Sequence, residues 1–345
     1  MKIGCRKIGA GEPVCVVAEL SANHNQHFDE AVRLIHAAKD AGADAVKLQT
    51  YTADTITLDC RNEYFQIKGT LWAGRNLHDL YKEAFTPWDW QPKLKKEADA
   101  LGLPLFSTPF DRSAVDFLEQ MNVPAYKVAS LEIVDIPLIQ YIARLGKPVL
   151  LSTGASALKE IEEAVAAIRA EGNDQIALLK CTSAYPAPPD EMNLRTIPDL
   201  AEHFNVPVGL SDHTLGIAAA VASVALGACV IEKHFTLRRA NGGPDSAFSL
   251  EPHEFKAMVV AVREAQQALG AVSYEVSEHE KASRVYRRSL FVVEDVKTGA
   301  RFTEQNVRSI RPGYGLPPKH LGDVLGKKAT RDIERGTPLK WELVE

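Results

Sequence analysis

The chain has 345 residues, and its 46% hydrophobic and 25% charged residues exclude a disordered polypeptide. Its formal net charge of -5 comes without a long basic run, so nucleic acid is not an expected partner. No stretch approaches the roughly 18 consecutive apolar residues of a membrane span, and no signal-peptide pattern opens the chain, which predicts a cytoplasmic protein. The five cysteines show no CxxC pairing and indicate small buried side chains in a reducing compartment.

Short apolar, β-branched segments alternate with amphipathic segments over most of the chain. The amphipathic segment 28–42 places Leu34, Ile35 and Ala38 at helical spacing and ends at Gly42. Eight such strand–helix units over about 260 residues predict a (β/α)8 TIM barrel. A doubly wound parallel sheet is the alternative, but no glycine-rich phosphate loop follows the first strand segment. The predicted strands are residues 14–20, 45–50, 103–109, 125–130, 148–153, 176–183, 206–212 and 229–235.

The pattern changes after residue 272. Residues 273–288 are charged and have the composition of a linker with some helix, whereas residues 289–345 hold short β-like pieces and the loop RPGYGLPP. About 60 residues make little core of their own, so we expect this part to dock on another surface. The predicted organisation is a barrel domain over 1–272, a linker over 273–288 and a small β-rich domain over 289–345.

Polar residues concentrate where the predicted strands end, which is where (β/α)8 enzymes hold their reactive groups. Side chains alternate along a strand, so Lys233 is expected to point away from the lumen. Buried polar groups need partners, and a polar lumen that opens onto an active site supplies them. Three polar pairs each share a strand face, namely Lys47 with Gln49, Ser211 with His213, and Glu232 with His234.

His213 and His234 follow the seventh and eighth predicted strands, which would be neighbours about 5 Å apart in a barrel. Two imidazoles at adjacent strand ends can meet on one ion. With water and substrate oxygens they suit Mn²⁺, Co²⁺ or Fe²⁺ better than a closed zinc site. The alternative is that each histidine only forms hydrogen bonds in the core, but the pairing favours a metal site.

Two lysines, Lys47 and Lys127, also project from strand ends. Ammonium groups among hydroxyl groups make a cradle for an anion that carries phosphate and carboxylate. A lysine that forms an imine with a carbonyl substrate, as in aldolases, and a structural salt bridge remain alternatives. The hydroxyl groups expected around the lysines belong to Ser107, Thr108, Ser130, Ser152 and Ser183.

These segments together resemble the sialic acid synthase family over nearly the whole chain. The motifs are AELSANHN, GADAVKLQTY, FSTPFD, YKVAS, LSTG, KCTSAYP, GLSDHT and VIEKHF. The tail that begins RRSLFVVEDVKTG is similar to the antifreeze-like (SAF) domain of that family. Residues 67–91 and the motif DSAFSLEP most resemble the members that make pseudaminic acid.

The resemblance implies a divalent-metal-dependent, aldol-type condensation with C–O cleavage. Phosphoenolpyruvate, water and the open-chain aldehyde of 2,4-diacetamido-2,4,6-trideoxy-L-altrose would give pseudaminic acid and phosphate. N-acetylneuraminate, legionaminate and spore-coat nonulosonate synthases are the alternatives within the family. Outside it, a carbohydrate-binding or antifreeze-type protein remains an alternative, and that alternative predicts no phosphate release.

The resemblance also assigns roles to individual residues. His213 and His234 would bind the divalent ion, expected to be Mn²⁺ with Mg²⁺ or Co²⁺ as alternatives. Glu19 would face the aldehyde and water as an acid, base or positioning group, and Glu232 would support the metal or a cationic intermediate. Phosphoenolpyruvate would contact Lys47, Lys127, Ser130, Ser152 and Ser183, with Thr108 as a weaker candidate. The other binding residues would be Gln49, Tyr185, Ser211 and Asp245, the sugar contacts being Gln49, Tyr185 and Asp245.

Ser183 departs from the family pattern, because neuraminate synthases often carry Asn at this place. The family further implies a domain-swapped homodimer in which the SAF domain covers the partner's active site and Arg311 touches an acetamido group of the sugar. Without the resemblance, Arg311 is a solvent-exposed loop residue. The aromatic residues of 67–91 would line the sugar pocket or pack between barrel and partner; they include Trp72, Tyr81, Phe85, Trp88 and Trp90.

Overall fold

Eight parallel strands close into a barrel whose neighbours follow the chain order. The computed structural model describes residues 1–345 and divides them into two units, Met1–Gly270 and Ala271–Glu345. The closed barrel confirms the predicted fold class and excludes the doubly wound sheet. The strands are β1 Cys15–Glu19, β2 Ala45–Thr50, β3 Leu105–Pro109, β4 Tyr126–Val128, β5 Val149–Ser152, β6 Ile176–Cys181, β7 Val208–Asp212 and β8 Val230–His234.

Helices connect the strands and bury their apolar faces on the outside of the barrel. The carboxylate of Asp111 begins one of them by accepting hydrogen bonds from the backbone N–H groups of Ser113 and Ala114. None of the helices has the length and the apolar character that a membrane span requires. The helices are α1 Phe28–Asp40, α2 Ala53–Ile56, α3 Leu77–Ala84, α4 Gln91–Ala100, α5 Arg112–Gln120, α6 Ile136–Ala143, α7 Leu158–Ala170, α8 Thr196–Phe204, α9 Ala218–Ala225, α10 Pro252–Leu269, α11 Glu278–Ser283 and α12 Leu321–Val324.

Strand alternation divides the barrel lumen into an apolar floor and a polar mouth. At the floor, Cys15 and Val17 of β1 pack with Ile3 and Ile8 from the N-terminal hairpin segment. The next residue of β1 on the same face is Glu19, which is also buried. The lumen therefore changes from hydrocarbon to charge within a few ångströms of strand length, at the end where (β/α)8 enzymes bind substrate.

The second unit has its own small core. Strands β9 Ser289–Val292 and β10 Val307–Ile310 pair antiparallel. Gly315 lies so close to this pair that a Cβ atom there would be 2.2 Å from the carbonyl oxygen of Leu290. Helix α11 lies within the segment that the sequence predicts as a linker. The core residues are Leu290, Val292, Val296, Phe302, Val307, Val324, Ala329, Ile333, Leu339 and Leu343.

Candidate active site

Lys47 is the centre of a buried ionic network at the barrel mouth. Its Nζ atom lies 2.6 Å from Oε2 of Glu19 and 3.7 Å from Oε1 of Glu232. It also donates a hydrogen bond of 3.2 Å to Oγ1 of Thr108. The second carboxylate accepts a 3.0 Å hydrogen bond from Oγ of Ser211. Strands β1, β2, β3, β7 and β8 thus bring five of the predicted site residues together.

The two carboxylates beside Lys47 have divergent pKa values. Burial and the neighbouring Glu232 raise the pKa of Glu19, although Lys47 acts against them. Burial alone would also raise the pKa of Glu232, but Lys47 and Lys127 hold it below its ordinary value. Two titratable groups separated in this way can divide acid and base roles between them, and the raised pKa makes Glu19 the one better suited to carry a proton.

The imidazoles of His213 and His234 converge at the mouth, with ring centroids 5.4 Å apart. Nδ1 of His213 lies 3.0 Å from the carbonyl oxygen of Thr182. A carbonyl oxygen only accepts, so Nδ1 carries a proton, and in the neutral ring Nε2 keeps its lone pair. Burial acts to lower the pKa of His213, but the neighbouring Cys181 and the Thr182 carbonyl raise it overall. Burial and the neighbouring His213 lower the pKa of His234 well below its usual range, which keeps this imidazole neutral.

These two histidines fit a divalent ion. Both are buried, and Nδ1 of His234 has no hydrogen-bond partner in the protein. A neutral imidazole is the form that binds a metal, and a carbonyl partner on the other ring nitrogen is the usual way to fix its tautomer. No third His, Cys, Asp or Glu side chain completes a ligand set. The donor set therefore leaves coordination positions for water and substrate oxygens, as a catalytic site requires.

Lys127 and the hydroxyl residues Ser130 and Ser152 are a further buried polar group of the barrel mouth. Burial lowers the pKa of Lys127 to about 8, and its Nζ atom donates to the carbonyl oxygen of Val128 at 2.7 Å. Oγ of Ser130 accepts a 3.1 Å hydrogen bond from the backbone N–H of Gly154. Oγ of Ser152 is buried without a partner. Unpaired buried polar groups of this kind are what an anionic ligand would satisfy.

Gly154 keeps the space between these hydroxyl groups open. A Cβ atom on Gly154 would lie 2.3 Å from Oγ of Ser183, 2.8 Å from Oγ of Ser130 and 3.0 Å from Sγ of Cys181. Both hydroxyl groups would have to turn away to admit a methyl group. The glycine of the LSTG motif is therefore a packing requirement of this part of the site.

The family resemblance implies that phosphoenolpyruvate binds here, and on that expectation Gly154→Ala should raise its KM by about tenfold, because one misplaced charge-assisted hydrogen bond costs roughly that much. The KM for the sugar that the resemblance implies should change little, since its expected contacts, Gln49 and Asp245, lie elsewhere in the site. Steady-state kinetics with each substrate varied in turn measures both values. Ala155→Gly, at the exposed neighbouring position, is the matched control. A larger effect on the sugar than on phosphoenolpyruvate would contradict the assignment.

Ser107 is a correction to the predicted ring of hydroxyl groups. It lies on the outer face of β3, where its Oγ atom is 2.7 Å from Oγ1 of Thr50. Lys233 also points outward, as alternation predicts, and forms a buried 2.8 Å ion pair with Asp212. Arg311 belongs to the second unit and is exposed there.

Polar residues after β1 hold loops in place. The side-chain amide of Asn23 donates to the carbonyl oxygen of Phe235 and to Oγ of Ser249, both at 2.9 Å. Nε2 of His24 lies 3.1 Å from Oγ1 of Thr86. Both residues fix the segments that surround the barrel mouth.

The aromatic residues of 67–91 divide between the site and the helices. Trp72 lies on a hairpin closed by the pairing of Gln66 with Asn76. Its ring centroid is 5.6 Å from that of Tyr185, which in turn lies 4.3 Å from that of His213. Phe85 contributes its carbonyl oxygen to a hydrogen bond from Gln26. The remaining aromatic residues pack elsewhere in the barrel unit, Tyr81 against Tyr51, Trp88 against Phe117, and Trp90 against His24 and Phe28.

The sequence analysis did not identify three further residues at the barrel mouth. Cys181 faces the lumen with its Sγ atom 3.8 Å from Nδ1 of His213, and alternation along β6 could have found it. Phe248 packs 4.9 Å from the His234 ring, centroid to centroid, from a loop far along the chain. Ser21 follows the end of β1, where alternation no longer applies, and it donates a hydrogen bond to Asp245.

Known proteins resemble this chain over its whole length. Residues 34–274 match the NeuB family and residues 287–345 match the SAF domain. The pseudaminic acid synthase of Campylobacter jejuni subsp. jejuni serotype O:23/36 (strain 81-176) is 46% identical over 340 residues, which are 99% of this chain and 98% of that protein. The pseudaminic acid synthase of Helicobacter pylori (strain ATCC 700392 / 26695) is 43% identical over 335 residues, 97% of this chain and 98% of that protein.

A solved structure agrees with the sequence comparisons. The N-acetylneuraminic acid (sialic acid) synthetase of Leptospira borgpetersenii serovar Hardjo-bovis, in complex with citrate, superposes with a TM-score of 0.74 at 31% identity. The match covers 82% of this chain and 94% of that one. The motif resemblance is thereby confirmed. The chain belongs to the NeuB family, the family of the sialic acid synthases, and ends in a SAF domain.

Proposed function

We propose that the chain is a pseudaminic acid synthase. It condenses phosphoenolpyruvate with the open-chain aldehyde of 2,4-diacetamido-2,4,6-trideoxy-L-altrose and water, giving pseudaminic acid and phosphate. The observation that carries this proposal is the full-length similarity to pseudaminic acid synthases, which exceeds the similarity to the sialic acid synthetase of known structure. The polar barrel mouth supports it, because its lysines, carboxylates and histidines suit an anionic substrate and an aldehyde.

Phosphoenolpyruvate binds among the cationic and hydroxyl groups of the mouth. Lys127 and the hydroxyl groups of Ser130, Ser152 and Ser183 receive the phosphate. Lys47 and Thr108 contact the same substrate from β2 and β3. Charge-assisted hydrogen bonds from ammonium groups to phosphate are strong in a buried site, which holds the enol carbon C3 in place for attack.

The carbon–carbon bond forms between C3 of phosphoenolpyruvate and the aldehyde carbon. The aldehyde oxygen takes the electron pair of its double bond and a proton from Glu19, whose raised pKa suits an acid. Positive charge then develops at C2, where the carboxylate of Glu232 stabilises it. Water adds to C2 and gives one proton back to Glu19, which leaves a tetrahedral C2 that carries a hydroxyl group and the phosphate. The C2–O bond to phosphate then breaks, phosphate leaves with its bridging oxygen and takes the hydroxyl proton, and the hydroxyl oxygen becomes the ketone oxygen of the product.

His213 and His234 would hold a divalent ion, Mn²⁺ being the expected one and Mg²⁺ or Co²⁺ the alternatives. When bound, such an ion supplies Lewis acidity that polarises a carbonyl oxygen. The convergence of the two rings and the unpartnered Nδ1 of His234 support this assignment. Soft thiolate ligands are absent from the pair, which suits these borderline and hard ions.

The sugar contacts Gln49, Tyr185 and Asp245 on the other side of the mouth. The family resemblance supports a homodimer in which Arg311 of one SAF domain reaches an acetamido group in the partner's site, and a division into barrel 1–272, linker 273–288 and SAF domain 289–345. A cytoplasmic location would provide the phosphoenolpyruvate. Sedimentation of the purified chain tests the dimer.

An imine-forming aldolase and a carbohydrate-binding protein explain the site less well. The lowered pKa of Lys127 is also what an imine-forming lysine needs. Borohydride treatment in the presence of substrate would mark that lysine by mass spectrometry, whereas the proposed reaction leaves every lysine unmodified. Carbohydrate binding alone does not require the buried ionic network around Lys47.

The proposal is tested by phosphate release from phosphoenolpyruvate with each candidate sugar, with and without Mn²⁺. We expect turnover with the 2,4-diacetamido-6-deoxy sugar and little with N-acetylmannosamine. In ¹⁸O-labelled water the label should enter the sugar acid at C2 and not the phosphate, because the C2–O bond breaks. Preference for N-acetylmannosamine would overturn the pseudaminate assignment, and labelled phosphate would overturn the mechanism.

The catalytic efficiency with phosphoenolpyruvate should fall at alkaline pH. Lys127 is charged below its pKa of about 8 and neutral above it, so the ammonium group that holds phosphate is lost as pH rises. We expect kcat/KM for phosphoenolpyruvate to fall by about tenfold for each pH unit above that value, as for a single essential ionisation. Lys127→Arg keeps its charge across this range and should remove the alkaline limb. An unchanged limb in that variant would assign the ionisation to another group.

A further inference from the structure

Ser21 occupies a backbone conformation that favours glycine. Its φ is 45°, and its side chain is buried with 2% exposure. A residue with a Cβ atom costs stability in this left-handed region, and glycine would not. Keeping serine rather than glycine at this position therefore costs stability. This cost indicates that the hydroxyl group has a function in the site.

The hydrogen bonds of Ser21 fix which way the amide of Gln49 faces. The hydroxyl proton goes to Asp245, whose carboxylate only accepts when it is ionised. Burial raises the pKa of Asp245, and the hydrogen bonds from Ser21 and from the Ala22 N–H act against that rise. The hydroxyl oxygen accepts from Nε2 of Gln49 at 3.1 Å, and Nε2 donates its other proton to Oε1 of Glu19, also at 3.1 Å. Both amide protons of Gln49 are used within the protein. The group that remains for a ligand is the carbonyl oxygen Oε1.

Asp245 is held in the same way. Its Oδ2 atom accepts from the Ser21 hydroxyl and, at 3.3 Å, from the backbone N–H of Ala22. The preceding residue is fixed too, because the indole Nε1 of Trp72 donates to the carbonyl oxygen of Pro244 at 2.9 Å. Oδ1 of Asp245 is therefore the oxygen left for a ligand. Ser21 stands between two acceptor atoms whose orientations it sets.

We propose that Ser21 is a positioning residue that presents Gln49 and Asp245 as a pair of hydrogen-bond acceptors to donor groups of the sugar. The inference rests on the proposed function, which assigns both residues to the sugar. A sugar with two acetamido groups offers two N–H donors besides its hydroxyl groups. Fixed acceptors select such donors, because an acceptor without a donor is left buried and unpaired in the complex.

The first test is Ser21→Gly, which removes the hydroxyl and suits the backbone. We expect the KM for the sugar to rise by about tenfold, the effect of losing orientation of one strong contact, and the KM for phosphoenolpyruvate to change by less than about twofold. Thermal unfolding should not occur at a lower temperature, since glycine tolerates this φ. Asn205→Gly, an exposed left-handed position (φ 52°) after α8, is the matched control and should leave both KM values unchanged. An unchanged sugar KM in Ser21→Gly would overturn the proposal.

The second test is a double-mutant cycle with Gln49→Ala. If Ser21 acts by orienting Gln49, the double variant should be impaired by less than the product of the two single effects. If the impairment of the double variant equals the product of the two single effects, the positioning role of Ser21 is overturned. The wild-type protein is assayed first with each family sugar, so failure with the diacetamido sugar counts against the proposed function alone. The Ser21 comparison is then made with whichever sugar the wild type uses.

Discussion

Replacing His234 by alanine is expected to lower phosphate release by at least about 10³-fold. A Lewis-acid ion contributes several kcal/mol to stabilising developing charge, and about 1.4 kcal/mol corresponds to a tenfold rate change. The loss should appear in kcat, because an ion held by the two histidines would supply Lewis acidity where charge develops on the aldehyde oxygen. His213→Ala should behave alike, since the rings lie 5.4 Å apart, centroid to centroid, and face one site.

Metal content gives a second measurement that does not depend on activity. Dialysed wild-type protein titrated with Mn²⁺ should bind one ion per chain by calorimetry or electron paramagnetic resonance, and each variant should bind it much more weakly. His203→Ala is the control, because that histidine is exposed at the end of α8, where it pairs with Glu162. Full activity after removal of all divalent ions, or equal Mn²⁺ binding by His234→Ala, would reject the metal site.

Lys47→Met is expected to destabilise the barrel unit as well as to abolish activity. It leaves two buried carboxylates, Glu19 and Glu232, without the ammonium group between them. Breaking a buried ion pair by removing one partner costs roughly 3–5 kcal/mol. The expected observation is a lower urea concentration at the midpoint of barrel unfolding, followed by tryptophan fluorescence.

The control for this loss removes one of the stranded charges. Lys47→Met combined with Glu19→Gln should regain part of the lost stability, because only one uncompensated carboxylate then remains. Activity should stay absent in the double variant, since it lacks both the proposed phosphoenolpyruvate contact of Lys47 and the proposed acid Glu19. If the double variant is as unstable as Lys47→Met alone, the charge of Glu19 is not what destabilises the single variant.

The barrel was predictable because each of its physical causes is local in sequence. Apolar segments with β-branched residues mark strands, and alternation places Lys47, Glu232 and their neighbours on the lumen side. Adjacent side chains of β3 point to opposite faces, so Ser107 must face outward if Thr108 faces the lumen. Strict use of this rule would have avoided the wrong prediction for Ser107. The predicted strand 125–130 is longer than β4, because the chain leaves the barrel after Val128 and turns into the short helical segment Ser130–Val134.

Contacts between distant loops were not predictable. The bond from Trp72 to the carbonyl oxygen of Pro244 joins positions 172 residues apart, and no local pattern encodes it. The same holds for Ser21 and Asp245, since residues beyond a strand end follow no period. The packing of Trp88 and Trp90 depends on which helix faces each ring, which composition alone does not determine.

The hairpin that carries Trp72 has an evolutionary consequence. Its ends are joined by the pairing of Gln66 with Asn76, so its tip can be rebuilt without disturbing β2 or the helices beside it. The ammonium and carboxylate groups instead stand on strands that the closed barrel constrains from both sides. Under the proposed function, we therefore expect sugar preference to change in evolution by exchange of this one loop, while the groups proposed to activate phosphoenolpyruvate keep their places on the strands.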